Sequence, residues 1–390
     1  MQNYYVDLHI HIGRTNSGKP VKITGAKTLT IENILEEATD VKGMDMIGVI
    51  DCHVPEVILE LEKLIEKGEV FPYQEGGLRF KNVTLLLGSE IEIYDENCHG
   101  PIHTLAFLPT IEKMKDFSNW LSTKMKNITL SSQRIYADGR ELQSKVKELS
   151  GIFIPAHVFT PYKSLYGRGV KHSLTEVFDE KLIDGIELGL SSNTDMADQI
   201  QELHNYTFVS NSDAHSLPKI AREYQIIQME EPTFEEFRKA LKNEEGRKIV
   251  ANYGLDPLLG KYHKTTCEKC YHLIEDVRQE VCPSCGHKKI VKGVFDRLQE
   301  LKNTEEKGPN RPPYIHQVPL EFIPGLGPKT LRKLRDHFRT EMSILHEVPE
   351  EALREVVSDQ IVDAIMNARG GTLTLQAGGG GKYGKVDSSK

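Results

Sequence analysis

Long apolar runs are missing from this sequence. Nothing in its 390 residues approaches the roughly 18–20 consecutive apolar positions that a membrane-spanning helix needs, so no membrane association is expected. The N-terminus also lacks a basic segment leading into an apolar stretch and a small-residue cleavage site, so no secretory signal is expected and the cytoplasm is the expected compartment. Basic charge is not in excess: 49 Lys and Arg face 57 Asp and Glu, a formal charge of -8. This balance does not support a generally basic nucleic-acid binder, although a local cluster can still serve. Cysteine is sparse. Of six, four form two Cys-x-x-Cys pairs, and Cys52 and Cys98 stand alone. In a cytoplasmic chain that pattern argues for metal and against a disulfide framework. The remaining composition, 38% hydrophobic and 27% charged, is that of an ordinary soluble protein, and the length allows two or three domains with a real core.

The chemistry begins at Val6-Asp7-Leu8-His9-Ile10-His11-Ile12-Gly13. As a β-strand, this run puts His9 and His11 on one face, where two neutral imidazoles can grip one cation. An isolated His-x-His is more often incidental. Here metal-ligand types recur after successive apolar runs: Asp51 and His53, Glu90, His103, His157, then Asp213 and His215.

Residues 30–42 read as a helix, with Ile31, Ile34, Leu35 and Ala38 at helical spacing and Gly43 to end it. Strands are expected over residues 46–50, 83–87, 102–108, 152–154, 185–188 and 206–209. Helices are expected over 57–65 and through most of 117–150, with a polar break near Ser131 and Ser132. The alternation predicts an α/β layout with a mostly parallel sheet. The acids and histidines fall mainly at the C-terminal ends of strands, where α/β barrels keep their chemistry. Segments 159–172 and 189–198 follow strands on that face and read as loops that shape specificity.

The first domain is expected to close near residues 254–260. Beyond it, Cys267, Cys270, Cys282 and Cys285 form a Cys-x2-Cys-x11-Cys-x2-Cys pattern, at which spacing four thiolates complete a tetrahedral zinc site. Four thiolates leave no open coordination position, so this zinc reads as structural. Lys288, Lys289 and Lys292 follow it directly. Residues 302–318, rich in charge and carrying Pro309, Pro312 and Pro313, read as a linker. Then Gly325-Leu326-Gly327 precedes a helix bearing Leu331, Leu334 and Phe338. Between residues 329 and 339, Lys329, Arg332, Lys333, Arg335 and Arg339 face a single acid, Asp336. Glycines admit close backbone approach, and amides at a helix start can bind phosphate. Gly325, Gly327, Lys329, Arg332 and Lys333 are therefore candidate DNA contacts. A second helical unit over 349–365 reads as a degenerate copy without its Gly-x-Gly. The tail mixes glycines with Lys382, Tyr383 and Lys385, which suits wrapping a phosphate backbone.

Asp7-Leu8-His9-Ile10-His11, Gly88-Ser89-Glu90, Pro155-Ala156-His157 and Ser212-Asp213-Ala214-His215 resemble, in order, the motifs of the PHP (polymerase and histidinol phosphatase) superfamily. The resemblance implies a distorted (β/α) barrel, a trinuclear metal site and phosphoester hydrolysis. Carried over by motif, His9, His11, Glu90 and Asp213 would hold one metal and form the catalytic core. Glu90 would bridge to a second metal, held also by His103 and His157. Asp51 or His53, with His215, would serve a third. Two departures stand out: Cys52 separates Asp51 from His53, and no acid or histidine follows the His-x-His among residues 14–18.

Pro324-Gly325-Leu326-Gly327 resembles the helix-hairpin-helix motif of DNA-binding proteins. The order of parts is a PHP-type α/β barrel (1–255), a four-Cys zinc module (256–300), a linker (301–318), an all-α helix-hairpin-helix domain (319–371) and a Gly/Lys-rich tail (372–390). It resembles the endonuclease Q family across essentially the whole chain. That resemblance implies a DNA-repair endonuclease cutting on the 5′ side of deaminated bases (uracil, hypoxanthine, xanthine) and abasic sites. Its partner is damaged DNA; a sliding clamp is a candidate protein partner, though no motif marks one. The implied cofactors are two or three divalent ions in the barrel, zinc with magnesium or manganese as alternatives, and one structural zinc.

Clustered divalent metals lower the pKa of a bound water, clamp phosphodiester oxygens and stabilise a leaving alkoxide. In-line attack would leave a 3′-hydroxyl and a 5′-phosphate. Inspecting a base is easiest by extruding it, and a damaged or mispaired base costs less to extrude. A pocket from loops 159–172 and 189–196 would receive it, with Ser164, Tyr166, Arg168 and Asn193 as candidates by residue type. Two other readings are a small-molecule phosphatase of the histidinol-phosphate kind and a non-catalytic DNA-binding module with a decayed metal site. The appended zinc module, hairpin and basic helix argue against the first, and the near-complete ligand set argues against the second.

Overall fold

The computed structural model describes every residue except 261, 277–278, 307, 324, 372–374, 377–384 and 387–390. The first half supplies β1 (Gln2–Ile10), β2 (Met46–Val49), β3 (Val70–Pro72), β4 (Leu78–Phe80), β5 (Val83–Ile93), β6 (Ile102–Leu108) and β7 (Ile152–Pro155). Then come β8 (Ile186–Glu187), β9 (Phe208–Val209), β10 (Tyr224–Met229) and β11 (Lys248–Gly254). β1, β2 and β5 run parallel, as do β8 and β9. β5, β6 and β7 are antiparallel neighbours. The ring continues to β8 through the Val158 N–H on Glu187 O (3.0 Å). It closes on β1 where the Ala214 N–H reaches His9 O (3.0 Å) and the His11 N–H reaches Ala214 O (3.1 Å).

This is a distorted α/β barrel, but its sheet is mixed and not mostly parallel. Residues 94–101 fall short of the roughly dozen that a crossover needs, so β6 returns antiparallel to β5. β10 and β11 extend the sheet antiparallel beyond β1. Val6, Leu8, Met46, Leu86, Leu105 and Ile154 are fully buried in one core cluster. Helices 31–36 and 55–66 bury Ile34, Leu35, Val57 and Leu61 in a second.

β12 (Thr266–Cys267) and β13 (Ile290–Val291) form the hairpin of the cysteine module. β14 (Tyr314–His316) pairs with β11, so the second half of the expected linker is docked on the barrel. Its charge is satisfied there: Arg311 meets Asp198 at 2.9 Å and lies 3.7 Å over the Phe208 ring.

Four helices follow: Pro328–Phe338, Glu341–His346, Glu350–Val356 and Asp359–Arg369. Buried Leu334, Ile344, Leu353, Val362 and Ile365 contribute to their packing. The second of them docks on the barrel. Thr340 sits against Gly43, whose φ of 78° ends the helical run 31–42 and where a Cβ would come within 2.4 Å of the Thr340 hydroxyl. Lys42 Nζ meets Glu341 at 2.8 Å, and the His346 ring stacks on Tyr5 with centroids 5.0 Å apart.

Candidate metal centre

The site is assembled where β1 ends. A register irregularity between Asp7 and Ile10 brackets His9, and such bulges re-aim side chains. Asp7 is buried and accepts the N–H groups of Ser212 (3.0 Å) and Ala221 (2.9 Å). It ties the 210–221 turn to β1 and so brings Asp213 over the histidines. Asp213 (φ 45°) and His157 (φ 31°) both adopt left-handed backbone, which costs on the order of 1–3 kcal/mol each and concentrates at functional sites.

Behind each histidine of the pair stands a buried carboxylate. His9 Nδ1 donates to Glu187 (2.9 Å), and His11 Nδ1 donates to Asp51 (3.1 Å). In the neutral ring that a metal needs, this fixes the tautomer and leaves Nε2 as the lone pair, the arrangement that orients metal-binding imidazoles; without a metal, burial opposes the charge but the surrounding carboxylates outweigh it and favour a protonated His9. Both Nε2 atoms are buried without a hydrogen-bond partner. They point at the acids: His9 Nε2 lies 3.5 Å from Glu90 and 3.4 Å from Asp213, and His11 Nε2 lies 3.6 Å and 3.5 Å from the same two. Donor atoms about 2.1 Å from one tetrahedral ion stand about 3.4 Å apart, and two overlapping sets come close enough to share an ion: His9, His11 and Asp213, and His9, Glu90 and His157. A second group joins at Glu90, whose carboxylate is 3.3 Å from His157 Nε2 and 2.8 Å from His103 Nδ1. His103 Nε2 is likewise buried without a partner.

Burial works to raise the Asp213 carboxyl, but His9, His11 and His215 outweigh it and hold it well below the usual carboxylate range. Burial also opposes ionisation of Glu90, and there His103 and Lys22 prevail. Both carboxyls are thus biased towards the anion. Beside them opens a cavity of about 680 Å³, whose lining includes Glu90, His103, His157, Asp213 and His215 together with Tyr162, Leu190, Ser191 and Tyr262.

Several predicted positions do not line the cavity, although Asp51 Oδ1 and His53 Nε2 are buried without a hydrogen-bond partner. Asp51 supports His11 and the Ile12 amide (2.8 Å). His53 is fully buried, with Nδ1 2.7 Å from the Ser89 hydroxyl, and does not line the cavity. Ser164 caps its own loop, accepting the Gly167 N–H. Tyr166 is buried, stacks on Phe159 and donates to Glu202 (2.8 Å). Asn193 caps the short helix 194–197 and contacts His316. These three are therefore held by loop architecture and do not line the cavity; loops 159–172 and 189–196 reach it through Thr160–Lys163, Leu190 and Ser191. Arg168 is exposed in a separate groove shared with Lys288, Lys289 and Lys292 of the cysteine module. Glu187 went unnoticed in the sequence. The available signal was an acid at the end of an apolar strand, in step with Asp51 and Glu90.

The four cysteines converge. Cys267 and Cys285 sulfurs are 3.6 Å apart, as are those of Cys270 and Cys282, close to the edge of a tetrahedron of about 2.3 Å metal–sulfur bonds. Burial raises the Cys267 thiol, but the Cys270 and Lys269 amides outweigh it and hold it at about 6. In the C-terminal helices, Gly325 has φ 82° and Gly327 precedes the helix 328–338. Lys329 and Arg332 are exposed there, whereas Lys333 donates to Val356 O (2.6 Å) and braces the helices. Lys382 and Tyr383 lie outside the described residues; Lys385 begins a two-residue strand paired with Leu375–Gln376.

Comparison with known proteins agrees with this geometry. A family model described as PHP-associated matches residues 192–245. An uncharacterized protein of Bacillus subtilis, YqxK, is 57% identical over 386 residues, 99% of this chain and all of that one. The crystal structure of the lesion-specific endonuclease PfuEndoQ from Pyrococcus furiosus superposes with a TM-score of 0.85 at 34% identity, over 99% of this chain and 95% of that one. A structure of endonuclease Q in complex with a 27-mer duplex, bearing an abasic lesion at the active site, superposes with a TM-score of 0.83 at 32% identity, over 99% and 96%.

Proposed function

The chain belongs to the endonuclease Q family, and from that membership we propose that it is a metal-dependent DNA-repair endonuclease that cuts on the 5′ side of deaminated bases and abasic sites, leaving a 3′-hydroxyl and a 5′-phosphate. The observation that carries the reading is the pair of buried, carboxylate-backed imidazoles, His9 and His11, with free Nε2 atoms converging on Glu90 and Asp213 beside an open cavity.

His9, His11, Asp213 and Glu90 would hold one divalent ion, and Glu90, His103 and His157 a second. Such ions supply Lewis-acid polarisation of a phosphodiester and a nucleophile at neutral pH. The protein's own part is to fix the ligands. Glu187 holds His9 and the His157 amide, and Asp51 holds His11. Tyr162, edge-on to Tyr262 at 5.4 Å, lines the same cavity as the ligands and would receive an extruded nucleotide by stacking. The four cysteines would hold a structural zinc. The glycine turn before helix 328–338 would act as the hairpin of a helix-hairpin-helix, with Lys329 and Arg332 on the phosphate backbone.

The test is a nicking assay on end-labelled duplexes carrying one uracil, one hypoxanthine, one abasic site or no lesion, with Mg²⁺, Mn²⁺ or Zn²⁺. A single cut 5′ of the lesion, absent from the intact duplex, is the expected result. Release of phosphate from small monoesters, with no duplex cut under any metal, would replace this reading with that of a phosphatase.

A further inference from the structure

We infer that Ile23 is a wedge that enters the duplex at the lesion and fills the gap left in the stack by the extruded base; this rests on the lesion-endonuclease reading above. Ile23 is 76% exposed, the most exposed large apolar side chain among the described residues, and it lines the metal cavity together with Lys22 and Thr24. A single apolar side chain on a surface ordinarily needs no explanation. This one stands at the corner of a tight turn, closed by the Gly25 N–H on Lys22 O (2.9 Å), and such corners are usually built from Gly, Pro, Asn, Asp or Ser. The turn is also clamped, so it cannot fold its apolar corner inward. At the end of β1 the Lys22 N–H reaches Ile12 O (2.8 Å) and the Val21 N–H reaches Gly13 O (3.0 Å). From the other side the Ser131 N–H reaches Val21 O (3.0 Å), and the Ala26 N–H reaches His215 O (2.8 Å). Backbone meets backbone here: a Cβ on Gly13 would come within 2.0 Å of Ala26 O.

A cut on the 5′ side of a lesion puts the metal ligands at the phosphate that borders it. The gap in the stack therefore opens within one nucleotide step of those ligands. Ile23 is placed for that gap. The side chain of its neighbour Lys22 reaches Glu90 at 3.3 Å and the Ser132 hydroxyl at 2.6 Å, which ties the turn to the ligand set. Extruding a nucleotide forfeits the stacking on both of its faces. An apolar side chain between the flanking bases covers the surfaces so exposed, and Ile is among the residues that proteins insert between base steps. Its β-branch leaves little χ1 freedom to lose on insertion. Tyr162 and Ile23 then divide the work: the first stacks on the extruded base, and the second keeps the duplex from closing behind it. On a single strand there is no pair to re-form and the wedge has nothing to hold open.

The wedge is tested on the full chain by varying what it must hold open. Wild type, Ile23→Ala and Ile23→Leu are compared on uracil opposite adenine, uracil opposite guanine and uracil in a single strand. Ile23→Ala is expected to lower kcat/KM on the order of tenfold opposite adenine, less opposite guanine, where the mispaired base costs less to extrude, and by no more than about twofold on the single strand. Ile23→Leu, which keeps an apolar plug, should stay close to wild type. Opening of the stack is read separately from the fluorescence of 2-aminopurine set beside the uracil, in an Asp213→Ala background that leaves the duplex uncut. Binding should raise the fluorescence, and adding Ile23→Ala should reduce the rise. Equal loss on duplex and single strand, Ile23→Ala indistinguishable from wild type on every duplex, or no fluorescence rise overturns the inference. Lesion cutting that ignores Ile23 leaves the repair reading standing without the wedge. An Ile23-dependent rise in fluorescence, with no duplex cut by wild type, sinks the endonuclease reading and keeps a lesion-opening wedge.

Discussion

Two sites in this molecule gather four protein donors each, and they are built in opposite ways. At the cysteines every donor faces another donor, the sulfurs sit 3.6 Å apart in pairs, and Cys270 and Cys285 lie at the surface. No cavity enters. At the barrel, the donors are buried imidazoles and carboxylates, each imidazole of the His9–His11 pair has a carboxylate behind it, and one side opens on about 680 Å³. A closed thiolate set converts metal affinity into folding energy, whereas an open, buttressed set keeps coordination positions for a substrate. Each element of that contrast can be broken separately.

The largest expected effect is at the open site. Asp213→Ala removes the anion that faces both His9 and His11. Nicking should fall on the order of 10³-fold or more, while the chain remains folded by circular dichroism and keeps the metal at its cysteines. Cys270→Ser should do the reverse: one metal per chain is lost, residues 267–291 become sensitive to trypsin, and the barrel metals stay. If Cys270→Ser instead emptied the barrel, the two sites would not be independent and the contrast would collapse.

A step smaller is the loss of buttressing. Glu187→Gln and Asp51→Asn keep volume and hydrogen bonding but remove the charge behind His9 and His11. Such changes typically cost about 10–100-fold in metal affinity or activity. Glu187 should cost more than Asp51, because it also accepts the His157 N–H (2.8 Å) and the Asn211 amide (2.7 Å). Zinc competition against a chromogenic chelator gives the order directly, and equal losses would show that Glu187 acts on His9 alone.

The cavity wall is smaller again. Tyr162→Ala should weaken cleavage at uracil by about 1–3 kcal/mol of lost stacking, roughly 5- to 150-fold. It should leave abasic duplexes nearly untouched, since they offer no base to stack. Equal loss on both would assign Tyr162 to the backbone of the DNA and not to the base.

The open site was mostly legible in the sequence and the loops around it were not, for one reason. His9, His11, Glu90, His157 and Asp213 follow or end apolar runs at one end of the sheet, and His103 opens the run of the antiparallel β6 at that same end. Periodicity speaks about strands. Ser164, Tyr166 and Asn193 lie in loops, where the outcome depends on local partners such as Gly167, Glu202 and Met196 that no period announces. Glu187 lay within the expected strand 185–188 and was passed over although, like Asp51 and Glu90, it ends an apolar run. Arg311 was hidden because its charge, a mark of a solvated linker, is neutralised by Asp198 from far along the chain. Lys22 lies in a loop whose placement follows from β1 and not from its own residues.

The smallest effect lies at the seam between barrel and C-terminal helices. His346 sits among Tyr5, Tyr224 and Tyr253, with Nε2 2.6 Å from the Tyr224 hydroxyl. Burial, aided by Arg369, depresses it from 6.5 to about 4. A depressed histidine is held neutral in the folded state, so its contribution is intact above the unfolded value near 6.5 and is lost as pH falls toward 4. Between pH 7 and 5.5 the seam should weaken by roughly 1 kcal/mol. Hydrogen exchange of residues 341–346 should therefore rise severalfold over that interval relative to the barrel strands, after correction for intrinsic rates. In His346→Gln, which carries no proton to gain, the difference should vanish. A seam that loosens equally in the variant would show that the acid sensitivity does not reside in His346.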